Sequence, residues 1–255
     1  MAKFLVTFET QAKFMKLYIV LSLIGLFISC KESPQKQQID QTDRTTVDTI
    51  PVVDTVAIVP EVVKEVVPSL DTLADTTFVR LADYSDDFVY DMRYATENNF
   101  LEAQVYECGE CYVRAITAKA LLKANKAFME QGYKIKFFDC YRPHDVQKKM
   151  WKIVPNATYV ANPAKGSIHN KGGAVDITLT TLVGEQLDMG TTFDFFGRKA
   201  RHAYQDLPKE VLDNRKILKS GMEAFGFGAI TSEWWHYNYK PTLGYKVANF
   251  RWECD

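Results

Sequence analysis

The chain has 255 residues, 47% of them hydrophobic, and its 31 basic and 32 acidic residues leave a formal charge of −1. Such a composition belongs to a globular protein of one domain plus extensions and excludes a fibrous or wholly disordered chain. Charges of both signs are balanced and no basic block is present to track phosphates, which excludes a nucleic-acid partner.

At the N-terminus Lys16 precedes an apolar stretch from Leu17 to Ile28, about 12 residues, too short to span a bilayer comfortably and suited to a signal-peptide core. Ser29 then stands directly before Cys30, which resembles the lipobox of bacterial lipoproteins. The expectation is a signal peptide over 1–30, starting in effect at Met15, with Cys30 lipidated and the mature chain anchored to the membrane of the cell envelope, facing the periplasm or the exterior. An uncleaved N-terminal anchor is the alternative, and it also places the bulk of the chain outside the cytoplasm. From 31 to 77 there is no Gly, Cys or Trp, and Gln, Thr, Asp, Val and Pro recur. This composition cannot bury enough surface to fold alone and predicts a tether, with Pro51, Pro60 and Pro68 arguing against an edge strand.

The folded domain is expected over 78–255, where aromatic residues become frequent. Apolar residues at helical spacing predict an amphipathic helix over 114–133 that stops at Gly132. A strand follows over 134–140, and a helix over 142–154 with Pro143 at its start and Pro155 beyond its end. The β-branched run over 174–180 reads as a strand, 208–227 as a helix broken near Gly226, and 234–240 as a terminal strand. Without regular βαβ repeats, this order predicts a single α+β domain with a mostly antiparallel central sheet flanked by helices. Cys108 and Cys111 have the spacing of a zinc knuckle, but no second ligand pair follows. In an oxidising compartment disulfides among Cys108, Cys111, Cys140 and Cys254 are expected, with the connectivity open.

One residue conflicts with its surroundings. Asp176 lies inside an otherwise apolar strand, and a buried carboxylate is costly unless it is paired, hydrogen-bonded or coordinating a metal. His169 precedes it by seven positions, and about sixty residues later Glu233 stands three positions before His236. Two histidines and one carboxylate form a three-donor set that leaves a zinc position open, and zinc lowers the pKa of a bound water to about 7. Glu233 is then available to take the proton. On a regular strand Glu233 and His236 would point to opposite faces, so an irregular turn is expected before the terminal strand.

Together these segments resemble a known family. "SIHNKGGAVDITL" (167–179) is similar to the Ser-x-His-x-x-Gly-x-Ala-x-Asp signature of the zinc D,D-peptidases, and "EWWH" to their Glu-x-x-His. "DMRYATENNF" (91–100), "DCYRPHDVQ" (139–147), "MGTTFDFF" (189–196) and "NRKILKSGMEAFGF" (214–227) run in the order found in the D-alanyl-D-alanine dipeptidases of the VanX type. The resemblance implies the zinc D,D-peptidase (Hedgehog/VanX-like) fold and one Zn²⁺ per chain, held by His169, Asp176 and His236. It further implies Glu233 as general base and acid, Arg142 as the stabiliser of the oxyanion, and Asp194 as the receiver of the dipeptide's amino group, with Ser167 contacting the substrate near the metal. The implied activity is hydrolysis of D-Ala-D-Ala in cell-wall peptide metabolism. Two alternatives stand beside it: a D,D-carboxypeptidase acting on peptidoglycan stem peptides, and a non-catalytic zinc-fold lipoprotein that binds wall fragments. Cys140 departs from the glycine usual in the family, so a narrower pocket beside Arg142 is expected, while His144 and His202 match no ligand position.

Overall fold

The computed structural model describes residues 66–254. The expected signal peptide, Cys30 and the expected tether up to residue 65 lie outside these residues. Within the stretch read as tether, packing already begins ahead of Phe78. A short 3₁₀ turn, Leu70–Thr72, is capped by the Ser69 hydroxyl and inserts Leu70 into the core.

Seven strands and three α-helices make up the described residues: β1 Phe78–Arg80, β2 Val89–Tyr90, β3 Tyr112–Arg114, α1 Ala115–Met129, β4 Tyr133–Asp139, α2 His144–Ile153, β5 Ala174–Thr181, α3 Lys209–Ala224, β6 Phe227–Ala229 and β7 His236–Tyr239. Strands β1 and β3 form a small antiparallel pair, and the main sheet runs β2-β4-β5-β7-β6. It is antiparallel except at its β2–β4 edge. The α+β, mostly antiparallel expectation therefore holds. The strands that sequence reading missed, β1, β2, β3 and β6, are two or three residues long, too short for a period of two to register.

Central strand β5 is buried from Ala174 to Thr180, so both of its faces are covered. Fully burying a side chain such as Ile135, Phe137, Ile177 or Leu179 contributes roughly 1.5–3 kcal/mol, which makes the β4–β5 pair a stiff platform. α1 presents Ala115, Ala118, Leu121, Ala124 and Phe128 to the core, and the chain then turns at Gly132 (φ 89°) into β4. Pro143 is the cap of α2 rather than its first residue. α3 ends at Ala224, ahead of Gly226 (φ 87°).

Two disulfides are present among the described residues, Cys108–Cys254 and Cys111–Cys140. The first ties the C-terminal segment to the loop before β3. The second ties the residue after β4 to the residue before β3.

Candidate active site

The site lies where β4, β5 and β7 end beside the loops that follow them. β5 carries Asp176, and the β4–β5 and β5–β7 registers place Asp139 and His236 directly opposite it. His169 arrives from a 3₁₀ turn, His169–Lys171, just ahead of β5. Getting from that turn into the strand requires two glycines for different reasons. Gly172 has φ 75°, a left-handed conformation, and a Cβ on Gly173 would lie 1.7 Å from the Thr242 hydroxyl.

Three donor atoms converge. His236 Nδ1 is 2.9 Å from Asp176 Oδ1, His169 Nε2 is 3.4 Å from the same oxygen, and the two imidazole nitrogens are 3.2 Å apart. A tetrahedral zinc with ligands at about 2.1 Å needs its donors about 3.4 Å apart, so this triangle is slightly tighter than the ideal and of the right shape. Hydrogen bonds on the far sides of both rings set the tautomers. His169 Nδ1–H donates to the Cys140 carbonyl at 2.7 Å, and His236 Nε2–H donates to Asn238 Oδ1 at 2.9 Å. Each ring therefore directs a lone pair at the other and at a carboxylate oxygen, an arrangement that only a cation or added protons satisfy. The residues fit a zinc ion. Although burial alone would raise it, the two imidazoles hold the Asp176 carboxyl well below the ordinary range. Burial works to lower the His236 pKa, but Asp176 more than offsets it and the net direction is up.

Glu233 lies in the bent segment ahead of β7, as the spacing required. The neighbouring tryptophans fix that segment: Trp234 and Trp235 are buried, the Trp234 indole N–H donates to Thr191 Oγ1 at 2.7 Å, and the Trp235 carbonyl accepts from Ile177 N–H. The Glu233 carboxylate accepts no hydrogen bond from another described residue. Burial raises its pKa, with Asp176 adding to the rise and His236, His169 and Arg142 opposing it.

Arg142 is buried with the carboxylate of Asp139. Its Nη2 and Nε donate to Asp139 Oδ2 at 2.6 and 3.2 Å, and its Nη1 donates to Gln147 Oε1 at 2.9 Å. The other Asp139 oxygen accepts from Tyr106 Oη at 2.7 Å and from Cys140 N–H at 2.9 Å. Burial would depress the guanidinium pKa, but Asp139 outweighs it, so Arg142 stays charged. Three of its five N–H groups are engaged, which leaves one on each terminal nitrogen for a further acceptor. The salt bridge to Asp139 therefore leaves the guanidinium able to take a further acceptor. The narrowing expected from Cys140 does not arise, because its sulfur is fully buried and bonded to Cys111.

Asp194 has φ 59°, a strained conformation for a residue with a side chain, and its Oδ2 accepts from Tyr94 Oη at 3.0 Å. Phe193 anchors it by packing against Tyr94, Phe138 and Trp235. Burial, reinforced by Asp176, pushes the Asp194 carboxyl well above its usual range, while Tyr94 and Arg142 pull the other way. Ser167 is half-buried at the head of the His169 turn, and its hydroxyl accepts from His169 N–H at 3.2 Å. His144 contacts the Pro163 carbonyl and His202 packs near Tyr237, so neither joins the cluster. Sequence reading missed Asp139, Tyr94, Tyr106, Gln147 and Asn238. Asp139 carried a usable signal, since it is a second carboxylate at the end of an apolar strand.

A closed triangle of metal donors, a half-buried carboxylate with no hydrogen-bond donor among the described residues and a buried guanidinium define a class: a hydrolase that uses one metal ion. The family model described as D-Ala-D-Ala dipeptidase matches residues 74–251. A D-alanyl-D-alanine dipeptidase of Escherichia coli K12 is 30% identical over 183 residues, covering 71% of this chain and 95% of that protein. One from Enterococcus faecium is 34% identical over 169 residues, covering 58% and 84%. The chain belongs to the D-Ala-D-Ala dipeptidase family of the M15 peptidases. Among solved structures, a zinc complex of the vancomycin-resistance D,D-pentapeptidase VanY aligns over 52% of this chain and 75% of its own, at 17% identity and a TM-score of 0.35.

Proposed function

We propose that this protein hydrolyses D-alanyl-D-alanine to two D-alanines in cell-wall peptide metabolism, with one zinc ion held by His169, Asp176 and His236. The observation that carries the reading is the convergence of His169 Nε2, Asp176 Oδ1 and His236 Nδ1, 2.9–3.4 Å apart, in a member of this family. Zinc, when bound, acidifies water and polarises a carbonyl.

The remaining roles belong to side chains. Glu233 takes the proton of the attacking water on its carboxylate and delivers it to the departing amine, a task suited to a carboxyl whose pKa burial has raised. Arg142, fixed by Asp139 and Gln147, directs its spare N–H groups at the developing oxyanion without having to reorient. Asp194, braced by Tyr94, accepts the free ammonium of the dipeptide, and Ser167 contacts the substrate near the metal. An acceptor for an ammonium selects a dipeptide, because any preceding residue would remove the charge and leave the carboxyl facing an amide.

Cys30, lipidated after cleavage, anchors the domain to the membrane of the cell envelope, facing the periplasm or the exterior, with residues from 31 onward as a tether. The two disulfides support an oxidising location.

The test is D-alanine release from a panel of D,D-dipeptides and one stem pentapeptide, with and without a chelator. Dipeptides should be cut, the pentapeptide spared and the chelator inhibitory. Preferential cutting of the pentapeptide would replace this reading with the carboxypeptidase one, and release that persists in chelator would remove zinc from it.

A further inference from the structure

We infer that the Cys111–Cys140 disulfide is a positioning device for the active site, holding Cys140, whose backbone bonds to His169 on one side and to the carboxylate that holds Arg142 on the other. The inference rests on His169 being a zinc ligand, as proposed above. Through its carbonyl, Cys140 accepts from His169 Nδ1 at 2.7 Å, and this bond turns the His169 Nε2 lone pair toward Asp176 and His236. Through its N–H it donates to Asp139 Oδ1 at 2.9 Å, on the carboxylate that holds Arg142. The N–H and the carbonyl belong to the two peptides that flank one Cα, so a displacement of Cys140 disturbs both groups together.

The sheet gives Cys140 little support. The β4–β5 register shifts between Phe137 and Asp139, and the last residue of β4 with a β2 partner is Phe137. Past Asp139 the ladder has ended. Cys140 instead sends its fully buried sulfur to Cys111, whose own carbonyl accepts from Leu81 N–H, while next door Tyr141 N–H donates to the Tyr112 carbonyl. The disulfide thus stitches the residue just past β4 to the base of β3. Cys108–Cys254 makes no comparable contact among the described residues: the Trp252 indole N–H donates to Cys108 Sγ at 3.2 Å, and neither cysteine bonds to a residue of the site.

The experiment compares the double variant Cys111→Ala/Cys140→Ala with Cys108→Ala/Cys254→Ala. Zinc affinity is read by competition with a chromogenic chelator, kcat and KM with D-Ala-D-Ala, and folding by circular dichroism. Changes to groups that orient a metal-ligating histidine reduce metal affinity by about 10- to 100-fold. The first variant should show a loss in that range, with kcat falling more than KM rises. The second should keep zinc affinity within about twofold of the parent, on the same scale. Equal shifts in both variants, or none in the first, would overturn the inference. Should Cys111→Ala/Cys140→Ala fail to fold, Cys111→Ala alone, which leaves position 140 unchanged, is held to the same thresholds. Because zinc affinity is measured without substrate, a parent that binds zinc but leaves D-Ala-D-Ala intact would refute the proposed function while still deciding this point.

Discussion

Replacing Asp139 by asparagine is the substitution for which the structure makes the sharpest prediction, because every contact to that carboxylate is a donor. Oδ2 accepts twice from Arg142, and Oδ1 accepts from Tyr106 Oη and Cys140 N–H. An asparagine keeps the shape but supplies one oxygen and one NH₂. Placed either way round, the amide sets its own N–H groups against donors, on the guanidinium side or on the Tyr106 and Cys140 side. Burial also denies Arg142 water as a substitute, since its side chain is only 8% exposed and Asp139 not at all. Breaking a buried pair by removing one charge costs about 3–5 kcal/mol, more than the median for surface pairs by a factor of several. Urea denaturation of Asp139→Asn should show a loss in that range. Displacement of Arg142 should lower kcat/KM for D-Ala-D-Ala by about 100- to 1,000-fold, the scale for losing one oxyanion donor. If the variant loses less than about 1 kcal/mol, the scale of an ordinary hydrogen bond, and keeps its kcat/KM, Asp139 does not hold Arg142 as argued.

Glu233→Gln should lower kcat by about 100- to 10,000-fold while zinc stoichiometry, measured by metal analysis, stays at one per chain, because Glu233 is not among the converging donors. Asp194→Asn should reduce kcat/KM for the dipeptide and yet stabilise the substrate-free protein at higher pH. The Asp194 pKa is raised in the fold, so its stabilising contribution is complete below the unfolded value and is lost as pH rises through the folded value. Asparagine tolerates the left-handed backbone and escapes that loss, so the melting-temperature gain of the variant should grow with pH, and a gain that shrinks would contradict the argument. Adding zinc at about 100 times its Kd to chelated protein should raise stability by about 2.7 kcal/mol, visible by scanning calorimetry.

Much of this site was legible because its chemistry conflicts with its surroundings. Asp176 announced itself as a carboxylate in an apolar strand, and the odd spacing of Glu233 and His236 required the bend that the chain makes there. The long elements were legible by periodicity, whereas β1, β2, β3 and β6 exist only through tertiary pairing. The disulfide pairing was not legible, since spacing alone leaves the connectivity open. Nor was the partner of Arg142. Asp139 is three residues away in sequence, but its role depends on the chain leaving β4 and turning back, which residue spacing does not reveal.

The register between β4 and β5 explains why these groups need one another. Asp139 and Asp176 are cross-strand partners, both almost fully buried, and like charges directly opposite one another destabilise a sheet. His169 lies between them, with Nδ1 3.6 Å from Asp139 and Nε2 3.4 Å from Asp176. A neutral imidazole cannot balance two carboxylates. Arg142 neutralises Asp139, and a dication supplies what Asp176 and Glu233 require, so that three negative groups meet three positive charges only when zinc is present. Asp194 stands outside this balance. Burial, reinforced by Asp176, drives its pKa upward in the substrate-free protein, and on the proposed reading the charge it needs arrives with the substrate's ammonium.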